Sequence, residues 1–283
     1  MRLRLDLAYD GTDFAGWGIQ PNLRTVQGTV EEALATILRL DAPARLIVAG
    51  RTDAGVHASG QVVHVDLPSL ASFENPDGSL DLIEFENRLA GILKRDPDVV
   101  LRRASIAPEG FDARFSAMAR RYEYRIQDDA RRYNPLERHR SVWTPKPLDV
   151  DQMNETAASM LGLRDFGAFC RPRPGATTVR ELLEFEWRRD DEGVVTCHIM
   201  ADAFCHSMVR SLVGACVATG AGKVDQSEME QVRDAAERTA AFKVMPPHGL
   251  NLVEVIYPPE SELGARAELT RSRRDLLDDE AIA

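Results

Sequence analysis

The chain has 283 residues, enough to bury a large core as one large domain or two modest ones. Its content of 44% hydrophobic and 28% charged residues is typical of a soluble globular protein. No apolar run approaches membrane-spanning length and the N-terminus has no signal-peptide core, which predicts a cytoplasmic protein without membrane association. The formal net charge of −10 argues at first against a polyanionic partner.

The positive charges are concentrated in part of the chain. Residues 88–140 hold thirteen bases and eight acids, and residues 164–180 hold four arginines and one acid. Because phosphate binding depends on a local basic surface more than on global charge, these segments are candidate nucleic-acid contacts. A solvated arginine-rich face, or a codon bias without functional content, explains the same pattern equally well.

The first half of the chain alternates strands and helices. Period-two runs predict strands, and apolar stripes at helical spacing predict helices. In chain order, the predicted elements are a strand at 2–9, a helix at 25–40, strands at 45–50 and 60–67, a helix at 80–95 and a strand at 98–106. This β-α-β-β-α-β order is that of a ferredoxin-like domain.

The second half repeats the order with one extra helix. Its predicted elements are a strand at 120–127, a helix at 150–161, a hairpin of 177–189 with 194–203, a helix at 206–219, a helix started by a Ser227–Glu230 capping box and a strand at 250–257. The sequence therefore predicts an α+β fold of duplicated ferredoxin-like (βαββαβ) halves with antiparallel sheets. The predicted boundaries are 1–107, 108–258 and a mobile, acidic tail at 259–283 with a short helix at most.

A run of small residues with one acid joins the second and third predicted strands. It reads GRTDAGVH over residues 50–57, with Asp53 at its centre and Arg51 two residues away. Gly50 and Gly55 let the backbone bend and let a ligand approach closely. An Asp between two glycines is more often a turn residue that bonds its own backbone, so this loop alone does not establish catalysis.

Two further motifs carry chemistry-bearing residues. One is FSAMARRYEY at 115–124, and the other is FCHSMVR at 204–210, at a strand-to-helix junction. With the loop at 50–57, they resemble the pseudouridine synthases of the TruA family, which modify the anticodon arm of transfer RNA. The resemblance covers nearly all of residues 2–257. It also rests on segments at 9–12, 14–17, 25–27, 60–64 and 249–252.

The resemblance implies a fold, an activity and partners. Members of the family have two ferredoxin-like halves flanking a central catalytic cleft. They isomerise uridine to pseudouridine at positions 38, 39 and 40 of transfer RNA, work as homodimers with RNA across both subunits, and need no cofactor and no metal. Asp53 matches the essential aspartate, Arg210 the arginine that pairs with it, Tyr122 the tyrosine that contacts the target uracil, and Arg51 an arginine that holds or displaces the base.

Further substrate contacts are expected beside these residues. Arg120 and Arg121 precede Tyr122, and Leu252 belongs to the matching C-terminal segment. The arginines of the loop at 128–148 are predicted RNA contacts. The loops at 128–148 and 171–175 are expected to be specific to this protein's lineage. After Trp17 the family usually has Gln, whereas this chain has Gly18-Ile19-Gln20.

Other chemistry-bearing residues are predicted to have ordinary roles. His57 and His64 are expected to be structural or to face RNA, because the reaction needs no imidazole. Neighbouring strand residues point to opposite faces, so one zinc site for Cys197, His198, Cys205 and His206 is not expected. All four cysteines are predicted to be reduced thiols. The run GAGK at 220–223 lacks the Walker spacing.

Two other functional classes fit parts of the sequence. A non-catalytic RNA-binding protein could use two ferredoxin-like halves, but it would have no use for the acid at Asp53. A glycosidase or nucleoside hydrolase usually needs two carboxylates flanking the bond, and only Asp53 has a convincing setting.

Overall fold

The computed structural model describes residues 1–67, 70–171 and 177–280. Backbone contacts divide it into two compact units, Met1–Met118 with Leu252–Glu280, and Ala119–Asn251. The first unit extends beyond the predicted boundary at residue 107 because the segment after it is bonded inside that unit. The Tyr257 hydroxyl donates to the carbonyl oxygen of Ala113 at 2.7 Å, and the Ser116 hydroxyl donates to the carbonyl oxygen of Leu263 at 3.0 Å.

Ten strands and six helices make up the regular structure of the described residues. The strands are β1 (Arg2–Tyr9), β2 (Leu46–Val48), β3 (His57–Asp66), β4 (Val99–Ile106), β5 (Ala119–Gln127), β6 (Val142–Trp143), β7 (Gly162–Asp165), β8 (Val179–Arg189), β9 (Val194–Ala201) and β10 (Leu250–Ile256). The helices are α1 (Val26–Leu38), α2 (Leu82–Leu93), α3 (Val150–Ser159), α4 (Met208–Gly220), α5 (Gln226–Ala235) and α6 (Leu263–Glu280).

The first unit is built on strands in the order β4-β1-β3-β10, with β2 also paired to β3. Strand β1 is antiparallel to both β3 and β4, as the predicted β-α-β-β-α-β order requires. Its alternation places Leu3, Leu5 and Leu7 in the core with no exposed surface. Helix α1 begins where predicted, because the Thr25 side chain accepts a hydrogen bond from the backbone N–H of Gly28.

The second unit is built on strands in the order β5-β9-β8-β7, with the short β6 parallel to β5. The predicted hairpin is β8 and β9, paired antiparallel. Strand β5 buries Tyr124 and Ile126 completely. Helices α3 and α4 approach closely, since the hydroxyl oxygens of Thr156 and Thr219 lie 2.7 Å apart. The mixed α+β fold of the prediction is thus observed.

The prediction of four reduced thiols was wrong for one pair. Cys170 and Cys205 form a disulfide, with Cα atoms 5.7 Å apart, whereas Cys197 and Cys216 are free and buried. The two bonded residues are separated by 35 positions and lie outside any recognisable spacing motif. Only folding brings their Cα atoms into the range that a disulfide requires.

The C-terminal segment differs from the predicted mobile tail. Helix α6 spans 18 residues and is much longer than the short helix expected. Leu263 and Ala267, spaced by one turn, are 3% and 2% exposed, and Arg271 forms an ion pair with buried Asp112 at 2.7 Å. These contacts attach its first half to the first unit. Residues 281–283 lie outside the described residues, as do 172–176 of the predicted arginine-rich loop.

Within the described part of the chain, none of the helices combines the length and apolar character that a membrane span requires.

Candidate active site

The loop that carries Asp53 joins β2 to β3, as the sequence predicts. It turns tightly, because the Val56 N–H donates to the carbonyl oxygen of Asp53 at 3.2 Å and Gly55 has a φ of 77°. The irregular segment after β1 is hydrogen-bonded to both sides of Asp53. The Trp17 N–H donates to the carbonyl oxygen of Thr52 at 3.0 Å, and the Gly55 N–H donates to the carbonyl oxygen of Phe14 at 3.3 Å. Asp53 is half-buried on this fixed backbone.

A buried polar network holds the base of the loop. The hydroxyl oxygens of Tyr9 and Thr52 lie 2.8 Å apart, and the Gln61 amide donates to the Tyr9 oxygen at 3.1 Å. The same amide nitrogen donates to the carbonyl oxygen of Gly50 at 2.9 Å. Burial raises the pKa of the Tyr9 hydroxyl to about 12, although its bonds to Thr52 and Gln61 oppose the shift. The network therefore stays neutral and fixed at physiological pH.

His57 and His64 both accept hydrogen bonds from backbone N–H groups of the first unit. His57 Nδ1 accepts a hydrogen bond from the Gly11 N–H at 2.9 Å, and His64 Nδ1 accepts one from the Ala113 N–H at 2.9 Å. Burial lowers the pKa of His64, which favours the neutral ring that can accept this bond. Both contacts fit the structural role, which is one of the two roles predicted for these side chains.

Gly11 and Gly18 mark two close approaches around the loop. A Cβ on Gly11 would lie 2.0 Å from the carbonyl oxygen of Val56, so only glycine fits there. A Cβ on Gly18 would lie 3.8 Å from the guanidinium carbon of Arg51, so this exposed arginine extends along the glycine. The departure from the family at Gly18 therefore sits next to a predicted base-contacting residue.

Three of the predicted site residues lie in the first unit and four in the second. Asp53 and Arg51 share one loop of the first unit. Leu252, predicted to contact substrate, has no exposed surface, so the structure places it in the packed interior of β10.

Tyr122 lies on β5 of the second unit and is 7% exposed. Its ring is edge-on to that of Phe204, with centroids 5.3 Å apart and planes at 89°. Arg120 donates to the carbonyl oxygen of Asp202 at 2.8 Å, and Arg121 forms an ion pair with Glu184. Phe204 belongs to the FCHSMVR motif, but its packing on Tyr122 is not visible in the sequence.

Arg210 lies in the first turn of α4 and is half-buried. Its guanidinium donates to the Ser207 hydroxyl at 3.1 Å and to the carbonyl oxygen of Met245 at 3.2 Å. Ser207 has a left-handed backbone with φ of 64°, uncommon for a residue other than glycine and often found at functional sites. Sequence reasoning identified Arg210 but neither Ser207 nor Met245 as the groups that hold it.

The second unit also shows that the side chains considered for zinc have separate roles. Cys205 is bonded to Cys170, Cys197 is completely buried, and His198 lies 3.5 Å from the carboxylate of Glu123. Burial raises the pKa of the Cys197 thiol well above its usual value, which keeps it protonated. These side chains are part of the fold rather than a common ligand set.

The chain is similar to proteins of known name over nearly its whole length. A family model described as tRNA pseudouridine synthase matches residues 156–258. A protein of Leifsonia xyli named tRNA pseudouridine synthase A is 57% identical over 97% of this chain and 98% of its own length. Proteins with the same name from Frankia casuarinae and Streptomyces griseus are 53% and 49% identical, over 97% and 98% of this chain and 96% and 95% of their own lengths. Identity of this extent over the whole length shows that the chain belongs to the tRNA pseudouridine synthase A family.

Proposed function

We propose that this chain isomerises uridine to pseudouridine in the anticodon arm of transfer RNA, at positions 38, 39 and 40. The main support for the proposal is the position of Asp53. Its side chain is half-buried, and it lies on a loop whose backbone is fixed by the hydrogen bonds of Tyr9, Thr52 and Gln61. Near-full-length identity to proteins named for this activity supports it.

The reaction conserves every atom of the substrate. The N1–C1′ glycosidic bond breaks, the uracil turns within the pocket, and a C5–C1′ bond forms. C5 then loses its proton and N1 gains one. No electrons are transferred and no phosphate moves, so one carboxylate with supporting polar groups supplies the chemistry.

Two roles for the Asp53 carboxylate fit this sequence of bonds. It attacks C1′ as a nucleophile while the N1–C1′ bond breaks and is released when the C5–C1′ bond forms, or it removes a proton from C2′ to form a glycal and returns that proton when the C5–C1′ bond forms. Both roles require an ionised carboxylate in a site that excludes water. We propose that the Arg210 guanidinium pairs with this carboxylate.

The remaining residues are proposed to handle the base and the RNA. The Tyr122 ring receives the face of a uracil turned out of its stack. Arg51 helps to displace or hold that base. Arg120 and Arg121 contact RNA. Arg120 is oriented by its bond to the carbonyl oxygen of Asp202 after β9, and Arg121 by its ion pair with Glu184 on β8. We further propose a homodimer in the cytoplasm, with one transfer RNA lying across both copies.

The competing functions fit the structure less well. A protein that only binds RNA would not need a buried network of three polar side chains behind a single acid. A glycosidase would need a second carboxylate beside Asp53, and the loop at 50–57 offers none.

Conversion of uridine in an anticodon stem-loop tests the proposal. The RNA is incubated with the protein and then treated with a pseudouridine-specific chemical tag. We expect tagged residues at positions 38, 39 and 40 with no change in the mass of the untagged RNA. An RNA in which these three uridines are replaced by cytidine is the control. No tagging of the uridine-containing RNA would overturn the proposal.

A further inference from the structure

Two exposed aromatic side chains lie side by side in the segment that follows β5, one in its loop and one in β6. Tyr133 and Trp143 have ring centroids 5.4 Å apart and planes at 69°, and each side chain is 40% exposed. An edge-to-face pair covers only one face of one ring, so it leaves further ring surface open to stacking. Leu136, between them in sequence, is 81% exposed.

The loop presents these rings on a fixed frame. The Gln127 side chain accepts a hydrogen bond from the Asn134 N–H at 2.7 Å and donates to the Ser141 hydroxyl. Trp143 pairs with Gln127 in the parallel register of β6 and β5. One side chain at the end of β5 therefore sets the backbone near both rings.

The two ends of the loop are fastened as well. Asp128 is buried, receives two hydrogen bonds from Arg189 at 2.6 and 2.8 Å, and accepts a third from the Leu148 N–H at 2.7 Å. The aromatic pair is thus pre-organised, which lowers the entropy cost of binding.

The loop that carries the pair is rich in exposed arginine. Four arginines of the loop are exposed: Arg131, Arg132, Arg138 and Arg140. The two acids among them are less exposed and already paired, Asp129 with Arg132 at 3.7 Å and Glu137 with Arg140 at 2.9 Å. Aromatic rings that accept bases, set among arginines that meet phosphates, are the combination used to bind single-stranded nucleic acid.

A second copy of the chain fits this surface poorly. A symmetric contact centred on the rings would bring the same four arginines of both copies together. Such like-charge contacts oppose association.

We propose that Tyr133 and Trp143 form a stacking platform for an unpaired nucleotide of transfer RNA. The inference rests on the proposed function and extends it, because the platform belongs to neither the Asp53 loop nor the Tyr122 strand. It gives a role to a loop that has none in the proposed reaction.

Tryptophan fluorescence tests the platform directly. Of the three tryptophans, Trp17 and Trp187 are 0% and 2% exposed, so Trp143 is the one that RNA can reach. We expect an unmodified tRNA transcript to quench the emission and a blunt RNA duplex without unpaired bases to leave it unchanged. Trp143→Phe should remove the quenching. Unchanged wild-type emission at saturating tRNA would overturn the proposal.

Binding by variants provides a second readout. Tyr133→Ala with Trp143→Ala should raise the Kd for tRNA about tenfold, a loss that base stacking on aromatic rings typically accounts for. Tyr133→Phe with Trp143→Phe should bind like wild type, because each ring face remains. Leu136→Ala is the matched control in the same loop and should also bind like wild type. Equal affinity of the double alanine variant would contradict the platform.

Sedimentation velocity and turnover distinguish a nucleotide platform from a contact between copies of the chain. The double alanine variant should sediment like wild type, and a changed association state would make the pair an interface between copies and overturn the proposal. In turnover assays we expect KM for tRNA to rise and kcat to hold. Unchanged KM with active wild type would overturn the platform alone, whereas wild type that forms no pseudouridine would overturn the proposed function.

Discussion

The phenolic oxygen of Tyr9 lies 2.8 Å from the hydroxyl oxygen of Thr52, the residue directly before Asp53. Both side chains are buried, and the Gln61 amide connects Tyr9 to the backbone of Gly50. The loop that carries the proposed catalytic acid is therefore fixed by buried hydrogen bonds to its first residues. The Asp53 carboxylate must reach C1′, or the proton on C2′, in a defined orientation. A fixed loop maintains that orientation, and a misplaced carboxylate would lower kcat.

Removal of the Tyr9 hydroxyl should weaken this support. Tyr9→Phe keeps the ring but leaves Thr52 and Gln61 without their shared partner. We expect kcat to fall about tenfold with little change in KM, and stability to fall by about 1 kcal/mol. Tyr257→Phe is the matched control, since it also removes one hydroxyl bond in the first unit, to the carbonyl oxygen of Ala113. It should lose similar stability and keep its kcat; equal kcat values for both variants would contradict a positioning role.

Two glycines near the loop should respond differently to alanine. A Cβ at Gly11 would meet the carbonyl oxygen of Val56 at 2.0 Å, whereas a Cβ at Gly50 meets nothing within 4 Å. We expect Gly11→Ala to destabilise the protein by about 2–3 kcal/mol, as overpacking does. Gly50→Ala should change stability by less than about 1 kcal/mol. Urea denaturation of the two variants measures both values, and equal midpoints would contradict the close approach of the Val56 carbonyl oxygen to Gly11.

The decrease in the free energy of unfolding at low pH should depend on Asp128. Burial opposes ionisation of this carboxyl, but its hydrogen bonds from Arg189 and Leu148 outweigh burial and lower its pKa below the usual value. A depressed folded-state pKa contributes stability above the unfolded-state pKa, and this contribution is lost as pH falls through the folded-state pKa. Asp128→Asn should lose about 1–3 kcal/mol near neutral pH and show a shallower decline toward acid. The exposed Asp191→Asn is the control and should follow the wild-type curve.

The thiol count tests the one covalent link that the sequence did not reveal. In denaturant without reductant, we expect two cysteines to react with a maleimide, Cys197 and Cys216. After reduction, all four should react. Mass spectrometry of the labelled protein distinguishes the two states, and four labels without reductant would contradict the Cys170–Cys205 bond.

The fold could be predicted from the sequence because its signals are local. Alternating Leu3, Leu5 and Leu7 mark a half-buried strand, and Thr25 marks a helix start. Longer-range features could not be predicted in this way. The α5 helix begins two residues before the expected start, since Asp225 rather than Ser227 accepts the capping bond from the Glu228 N–H. Both side chains are good caps, and the sequence offers no means of choosing between them.

In the candidate site too, local motifs could be predicted from the sequence and long-range contacts could not. Asp53, Arg51, Tyr122 and Arg210 are recognisable because they lie in contiguous motifs. Their supports come from other segments: Gln61 of β3 donates to the carbonyl oxygen of Gly50 just after β2, and the carbonyl oxygen of Met245 accepts from Arg210. These contacts depend on tertiary packing, so no local pattern predicts them.

The most direct test of the catalytic role of Asp53 is uridine conversion by Asp53→Asn, a change that removes the carboxylate while preserving side-chain size. The exposed Asp13→Asn, in the neighbouring segment of the same unit, is the control. A pseudouridine-specific tag is used to count product in an anticodon stem-loop, and tRNA affinity is measured in parallel. We predict no product from Asp53→Asn, near wild-type product from Asp13→Asn, and similar tRNA affinity for both. Pseudouridine formation by Asp53→Asn at the wild-type rate would contradict that role.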